Sequence, residues 1–142
     1  MIAQFFKTLP SSELHSLALL PRVTVLRCEE DFGFTWTLSQ TEQQALRAAQ
    51  DALLQRALTA VNAESGPTLL VLDEAISACT YHYLDPAPLL QYLKALPEQV
   101  EAVLTGRNPG PELLELADYV TEMKKVRHPF DRGIAARRGI ED

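Results

Sequence analysis

Residues 68–74, TLLVLDE, form a continuous apolar run that ends in two adjacent acids, Asp73 and Glu74. A strand that is apolar on both faces is typical of the interior of a parallel sheet, where helices cover both sides. We therefore predict a central parallel strand here, with the two acids at its carboxyl end. Because ligands of parallel sheets bind at that end, the acids are candidates for a binding site.

The segments on either side of this strand predict alternating helices and strands. Helix starts are indicated by a capping box at Ser39 and Glu42, by Asp85 before Pro86, and by Pro111. Further short strands are predicted at residues 1–6, 23–28, 100–104 and 119–123. This order predicts an α/β fold with a mainly parallel sheet and flanking helices.

Composition limits the classes of protein to consider. The chain has 142 residues, of which 46% are apolar and 23% charged, so we expect residues 1–142 to form a single globular domain. No apolar run approaches the roughly 18 residues that cross a bilayer, and residues 1–6 carry no charged leader, so we expect a cytoplasmic protein with no membrane partner. The net charge of −6 argues against a nucleic-acid partner. Cys28 and Cys79 belong to no paired spacing, and we expect two free thiols.

Two short patterns follow predicted strands and are suited to phosphate or metal. Asp73 and Glu74 have the form of the second nucleotide motif of P-loop proteins, in which an acid holds Mg²⁺ or its waters. In Thr105-Gly106-Arg107 a glycine permits close backbone approach and an arginine can fork onto a phosphate or carboxylate. Each pattern also has a structural explanation, since acids after strands often cap turns and glycine turns often carry surface arginines. Spacing alone leaves both alternatives open.

Two further features are the aromatic and the basic residues. Three aromatics fall within residues 32–36, FGFTW, where they either pack under the loop or form a wall for a flat macrocyclic ligand. Residues 124–142 hold six of the thirteen basic groups, which favours either a phosphate or carboxylate ligand or a solvated surface. The three histidines share no metal-ligand spacing, and no serine or cysteine lies in a nucleophile elbow, so zinc and hydrolytic chemistry are set aside.

These fragments, in this order, resemble the corrinoid adenosyltransferase family of cobalamin biosynthesis and salvage. The resemblance covers nearly the whole chain and is carried by AQFFK (3–7), GFTW (33–36), VLDE (71–74), LTGR (104–107) and residues 113–141. The last segment, LLELADYVTEMKKVRHPFDRGIAARRGIE, is close to the family's LADLVTEMKxVKHPFDxGIxAQxGIE. The resemblance implies a P-loop NTPase fold of the RecA-like type and a homodimer.

The implied reaction transfers the 5′-deoxyadenosyl group of ATP to the Co(I) of a corrinoid and releases triphosphate. Cobalt is the nucleophile, which fits the absence of a triad. The resemblance gives Phe34 and Trp36 a catalytic, corrinoid-binding role beneath the ring, where they exclude the lower ligand and ease reduction of Co(II). It assigns Mg²⁺ to Asp73 and Glu74 and ATP phosphates to Thr105 and Arg107. Lys125, Arg127, His128 and Arg132 lie in the matching tail, a place for contacts to triphosphate or corrinoid, and no individual role is assigned to them. An electron-donating flavoprotein is the implied partner.

The chain departs from the family pattern in its phosphate-binding part. No GNGKGKTT-type loop occurs in the 142 residues, and we expect a P-loop fold without its first strand, loop and helix, about 30 residues. The QFIKG glycine is Thr8 here, and the AQxGIE glutamine is Arg137. Three interpretations follow. The chain is a shortened or wrongly started form of an active transferase, or it is a corrinoid-binding carrier, regulator or partner subunit that does not turn over ATP. The third, an unrelated α/β binding module, is disfavoured by the match of residues 113–141. We also expect apolar strand edges that pair with a second chain.

Overall fold

The computed structural model of the chain describes residues 1–7, 12–137 and 140. Thr8 and, in the C-terminal segment, Arg138, Glu141 and Asp142 lie outside the described residues.

Four strands form one parallel sheet in the order β2-β1-β3-β4. They are β1 (Ile2–Gln4), β2 (Val25–Arg27), β3 (Thr68–Asp73) and β4 (Val100–Leu104). The prediction of a central strand at TLLVL is confirmed, because β3 pairs with β1 on one side and β4 on the other. The α/β class and the parallel sheet with flanking helices are likewise confirmed, and this architecture is consistent with a P-loop NTPase-like fold.

In the described part of the chain, five α-helices connect and flank the strands. They are α1 (Ser12–Ala18), α2 (Gln40–Asn62), α3 (Ala75–Thr80), α4 (Pro86–Lys94) and α5 (Pro111–Leu116). The three predicted helix starts are confirmed: the capping box at Ser39 is complete, Asp85 accepts from the amide of Ala87, and Pro111 opens α5. Within the described residues, no helix combines the length and the apolar character that a membrane crossing requires.

The strand predicted at residues 119–123 is wrong. This segment follows α5 as an extended, exposed stretch with no strand assignment, and Tyr119 and Met123 are each 93% exposed. Its aromatic and β-branched residues have strand propensity, but that propensity reflects packing against neighbouring strands, and here there is none. Residues 117–128 therefore lie off the sheet.

The hydrophobic core lies between one face of the sheet and α2. Its helical side is formed by apolar residues of α2 at helical spacing, and its sheet side by alternate strand residues: Leu53, Leu54, Ala57, Leu58 and Val61 against Ala3, Leu70, Leu72 and Val100. Cys28 is buried at this core and Cys79 is half-buried beside it, and both are free thiols as expected. Burial raises the pKa of Cys79 to about 11, with smaller contributions from nearby carboxylates, so this thiol is unreactive at neutral pH.

The opposite face of the sheet is mixed and much less covered, with apolar residues of β3 and β4 beside the exposed Glu101. Val71 is registered with Ile2 and with Val103, so these side chains share one face with Leu69. Leu69 is 53% exposed and Val103 44% exposed. Since parallel sheets are normally covered on both faces, the exposure of these two apolar residues is unusual for the described part of the chain.

Candidate functional site

The carboxyl ends of β3 and β4 lie side by side, which brings the two predicted acids to the TGR segment. The hydroxyl of Thr105 donates to Asp73 Oδ1 at 2.8 Å and accepts from the backbone amide of Glu74 at 2.9 Å. One side chain thus connects both acids to the loop after β4. Glu74 has a φ of 62°, a left-handed conformation that turns the chain sharply from β3 into α3.

A second hydroxyl, that of Ser77 in α3, ties Glu74 to the same loop. Ser77 donates to Glu74 Oε2 at 2.6 Å and accepts from the backbone amide of Arg107 at 3.0 Å. Gly106, which precedes Arg107 in this loop, is required because the loop lies very close to α3. Its φ is 142°, and a Cβ at this position would lie 2.6 Å from the backbone nitrogen of Ser77. Gly106 therefore permits the close backbone approach that the TGR pattern indicated.

Arg107 is anchored through its backbone, at both its amide and its carbonyl. The residue is exposed, and its guanidinium has no ion-pair partner among the residues that the structure describes. Its carbonyl and that of Asn108 accept from the hydroxyl of Thr80, which holds the loop against α3. Arg107 is thus an exposed cation on an anchored loop at the carboxyl edge of the sheet, a placement suited to an anionic ligand.

A polar cluster at the ends of β1 and β2 joins this site. We define the edge cluster as Gln4, Lys7, Glu13, Arg27 and Asp73. The ammonium of Lys7 lies 3.0 Å from Asp73 Oδ2 and 2.8 Å from Glu13 Oε1. Arg27 contacts Glu13 at 3.0 Å and donates through Nε to Gln4 Oε1 at 2.7 Å, and Gln4 in turn donates to Glu13 and to Asp73 at 3.1 and 3.3 Å.

The backbone that leads to Lys7 is itself unusual. Phe6 has a φ of 60°, uncommon for an aromatic residue. Its ring makes an edge contact with Tyr83 at 5.7 Å, and its amide donates to the buried Gln50 at 3.4 Å. These contacts bend the chain after β1 so that Lys7 lies at the end of β3.

The edge cluster controls the ionisation of its members. Burial opposes ionisation of Asp73, but hydrogen bonds from Lys7 and Thr105 outweigh it, so the pKa of Asp73 lies below its ordinary value. For Lys7, burial acts against the charged form, but hydrogen bonds to Glu13 and Asp73 outweigh it and raise its pKa. The pKa of Glu13 is lowered, chiefly by the hydrogen bond from Lys7. Both carboxylates and the ammonium are therefore charged at neutral pH.

The donor set at this edge has the chemistry that Mg²⁺ prefers, which is carboxylate oxygen. In the described part of the chain, no group of three or more His, Cys, Asp or Glu side chains could hold a metal. An ion bound by Asp73 or Glu74 would therefore complete its shell with waters and ligand phosphates, as Mg²⁺ commonly does. The residues at this edge therefore fit a cation. One cation, the ammonium of Lys7, is already bound to Asp73 and belongs to the protein itself.

The two aromatics of GFTW are stacked and exposed. The rings of Phe34 and Trp36 are 4.6 Å apart at 16°, and the side chains are 64% and 78% exposed. The interpretation that they pack in the core is therefore wrong. They lie on the loop that leaves the carboxyl end of β2, which is the same edge of the sheet as Asp73 and Arg107.

The basic tail is exposed where it is described. Lys125 pairs with Asp131 at 2.8 Å, and His128 Nδ1 accepts from the amide of Phe130 to begin a short 3₁₀ turn, Pro129–Arg132. Arg127, His128 and Arg132 line an open depression. This arrangement leaves the guanidinium groups of Arg127 and Arg132 accessible to a ligand.

Sequence reasoning found Asp73, Glu74, Thr105 and Arg107, and the structure brings all four together. It missed Ser77 and the cations Lys7 and Arg27. Lys7 was visible as part of AQFFK, and its position just after a predicted strand was the available signal. Ser77 offered only its spacing three residues after Glu74, which is a common pattern in the first turn of a helix.

Comparison with known proteins gives the family. The model of a family described as ATP:corrinoid adenosyltransferase BtuR/CobO/CobP matches residues 1–141. The chain belongs to this family. The resemblance stated from the motifs is thereby confirmed.

Curated relatives agree with this assignment. Proteins named corrinoid adenosyltransferase from a Sinorhizobium species and from Pseudomonas aeruginosa are each 38% identical to the chain, over 111 and 109 residues. A protein of the same name from Escherichia coli K12 is 36% identical over 109 residues. Each match covers 77% of this chain but only 50%, 52% and 54% of the respective relative. The chain thus spans about half the length of the curated relatives it matches.

Proposed function

We propose that this member of the corrinoid adenosyltransferase family transfers the 5′-deoxyadenosyl group of ATP to the Co(I) of a corrinoid in adenosylcobalamin biosynthesis or salvage. The observation that carries the proposal is that Thr105 hydrogen-bonds to both Asp73 and Glu74 and so links these acids to the TGR loop. The loop with the stacked rings of Phe34 and Trp36 lies at the same edge of the sheet. Family membership supplies the substrate class. We further propose a cytoplasmic protein in which residues 1–142 act as one domain.

In the proposed reaction, the cobalt electron pair attacks C5′ of ATP. A Co–C bond forms, the C5′–O bond breaks, and triphosphate leaves with the electron pair of that bond. The protein needs no nucleophile of its own, so its contribution is to position the substrates and to neutralise the charge that develops on the triphosphate. Mg²⁺, when bound, would supply part of this neutralisation.

The stacked pair Phe34 and Trp36 is the proposed corrinoid contact and the catalytic part of the corrin side. An exposed aromatic surface of this kind suits the apolar face of a macrocycle, because burying it removes apolar area from water. By covering the lower face of the ring it would exclude the lower cobalt ligand, which eases reduction of Co(II) to Co(I). This step needs an electron donor, and a flavoprotein is the proposed partner.

The carboxyl ends of β3 and β4 are the proposed ATP side. Asp73 and Glu74 are the proposed contacts to Mg²⁺ and its waters, and Arg107 and Thr105 the proposed contacts to ATP phosphates. The anchoring of the Arg107 amide by Ser77 supports this assignment, since it fixes the loop before any ligand binds.

A corrinoid-binding carrier or regulatory protein is the second candidate. The observation that favours it is that the ammonium of Lys7 already lies 3.0 Å from Asp73 Oδ2, where a metal bound with ATP would have to displace it. In this case the chain would bind the corrinoid but would not turn over ATP.

One titration separates the two candidates. The chain is mixed with reduced corrinoid and Mg-ATP, and the cobalt spectrum is followed together with triphosphate release. Conversion of Co(I) to a light-sensitive alkyl-cobalt species supports transfer. A corrinoid-bound spectrum that is unchanged by ATP supports the carrier. An in-frame glycine- and lysine-rich loop in the DNA upstream of Met1 would identify the longer protein in which to repeat the titration.

A homodimer is the proposed assembly. The feature that favours self-association is the exposure of Leu69 and Val103 on a sheet face that parallel sheets normally cover. Sedimentation equilibrium of the chain and of Leu69→Lys tests it: a dimer that becomes a monomer on substitution is expected. A monodisperse monomer at high concentration would contradict the proposal.

A further inference from the structure

Lys7 is the replaceable cation of the edge cluster. Its side chain is 35% exposed, whereas that of Arg27 is 9% exposed and is fixed by both Glu13 and Gln4. If the Lys7 ammonium moved away, Glu13 would keep Arg27 as its counter-ion. Among the described residues, the side-chain donors left to Asp73 would be the neutral groups of Gln4 and Thr105. Movement of Lys7 would therefore expose one uncompensated carboxylate, that of Asp73.

A dication and the Lys7 ammonium compete for Asp73. Oδ2 of Asp73 already accepts from Lys7 and Gln4, and Oδ1 accepts from Thr105. A divalent ion on the same carboxylate would lie next to the ammonium, where like charges repel strongly at short range. The two cations can share the site only if further negative charge lies between them.

A polyphosphate supplies that charge. Phosphate oxygens complete the shell of Mg²⁺ in nucleotide sites, and lysine binds phosphate as a point charge. The exposed Arg107 lies on the adjacent loop, so an anionic chain at this edge would meet cations on two sides. Lys7 can turn its ammonium from Asp73 to a phosphate by rotation of its flexible stem.

We propose that Lys7 is a polyphosphate-binding residue that occupies Asp73 until a metal-polyphosphate complex arrives. Lys7 then pairs with a phosphate, and Asp73 is released to the metal. The metal alone binds weakly because it must displace the ammonium, whereas the metal-polyphosphate complex binds well because it satisfies both groups. This inference rests on the proposed assignment of Mg²⁺ to Asp73.

The test measures two ligands on one variant, Lys7→Met, which removes the charge and keeps the apolar stem. Mn²⁺ replaces Mg²⁺, and its binding alone is followed by electron paramagnetic resonance. Binding of the Mn²⁺ complex of inorganic tripolyphosphate is followed by calorimetry. We expect Lys7→Met to bind Mn²⁺ alone about tenfold more tightly and the complex about tenfold more weakly than the unaltered chain. Lys94→Met, on the exposed side of α4, is the matched control and should change neither affinity.

The opposite signs distinguish this role from a structural one. If Lys7 only stabilised the fold, both affinities would fall together, and if it played no part, neither would change; either result overturns the proposal. Asp73→Asn separates the proposal from its basis. Mn²⁺ binding that survives this change refutes the assignment of the metal to Asp73, on which the proposal rests. Lost binding with no Lys7 effect refutes only the role of Lys7. No corrinoid is present, so the result is independent of the corrin side.

A measurement on the unaltered chain covers the case in which Lys7→Met does not fold. Acylation of Lys7 by an amine-reactive ester is followed by mass spectrometry, with Lys94 as the internal reference. We expect saturating Mg²⁺ alone to increase the acylation of Lys7, and the Mg²⁺ complex of tripolyphosphate to protect it. Equal reactivity in all three states would overturn the proposal.

Discussion

Replacement of Thr105 by Val should destabilise the protein although the two side chains have nearly the same shape. The change removes a hydroxyl that donates to the Asp73 carboxylate at 2.8 Å and accepts from the Glu74 amide at 2.9 Å. A hydrogen bond to a charged group contributes about 1.5–3 kcal/mol, and a backbone amide left without a partner costs about 1–3 kcal/mol when buried. The site is only part-buried, so water recovers some of each contribution.

We therefore expect the free energy of unfolding to fall by about 2 kcal/mol in Thr105→Val. Urea denaturation followed by circular dichroism measures it. With a urea dependence of about 2 kcal/mol per molar, the midpoint should move by about 1 M. Thr105→Ser is the matched control: it keeps the hydroxyl and should lose less than about half as much.

The reasoning would be refuted by a Val variant whose midpoint equals that of the unaltered chain. It would also be refuted by a Ser variant as unstable as the Val variant, because the loss would then come from packing of the methyl group and not from the two hydrogen bonds. A change in the urea slope would indicate an altered unfolded state and would require a second probe, such as tryptophan fluorescence.

Three further outcomes are expected. Gly106→Ala should lower the free energy of unfolding by about 2 kcal/mol or more, because its Cβ meets the backbone of α3 at 2.6 Å, whereas Gly110→Ala, with open space around its Cβ, should not; equal thermal midpoints would contradict this. The pKa of Asp73 is lowered in the folded state, so the stability that this group contributes is present above pH 3.8 and is lost as the pH falls through its folded pKa. The difference between the urea midpoints at about pH 6 and about pH 3 should therefore be smaller in Asp73→Asn than in the unaltered chain. An unchanged difference would count against this role of Asp73. Phe34→Ala and Trp36→Ala should leave stability within about 0.5 kcal/mol, since both rings are exposed, but should raise the barrier to Co(II) reduction far more than they weaken ATP binding; spectroelectrochemistry that finds equal effects would argue against the corrin assignment.

The parts of the fold that depend on local pattern could be predicted from the sequence. β3 is apolar on both faces and lies inside the sheet, and the capping box at Ser39 begins α2 as expected. The short helices α1 and α3 were not predicted, because six or seven residues hold too few turns for a helical period to be recognised. The predicted strand at residues 119–123 failed for a related reason: strand propensity is realised only where a neighbouring strand is available.

The site was predictable in its acids and its loop but not in its charge balance. Local sequence identifies these residues because each pair follows an apolar run: Asp73 and Glu74 after β3, Thr105 and Arg107 after β4. The parallel pairing of β3 and β4 brings them together. The contact of Lys7 with Asp73 depends on the pairing of β1 with β3 and on the bend at Phe6, which no local pattern encodes. The same holds for Ser77, whose role follows from the close approach of Gly106 to α3.

The measurement that tests the proposed activity most directly is formation of the cobalt–carbon bond. Reduced corrinoid, Mg-ATP and the chain are combined in the dark without oxygen, and the optical spectrum and triphosphate are measured together. We expect the Co(I) spectrum to be replaced by that of a light-sensitive adenosylcorrinoid, with one triphosphate released for each corrinoid converted. Binding of the corrinoid with neither a cobalt–carbon bond nor triphosphate would contradict adenosyl transfer by this chain and leave it as a carrier.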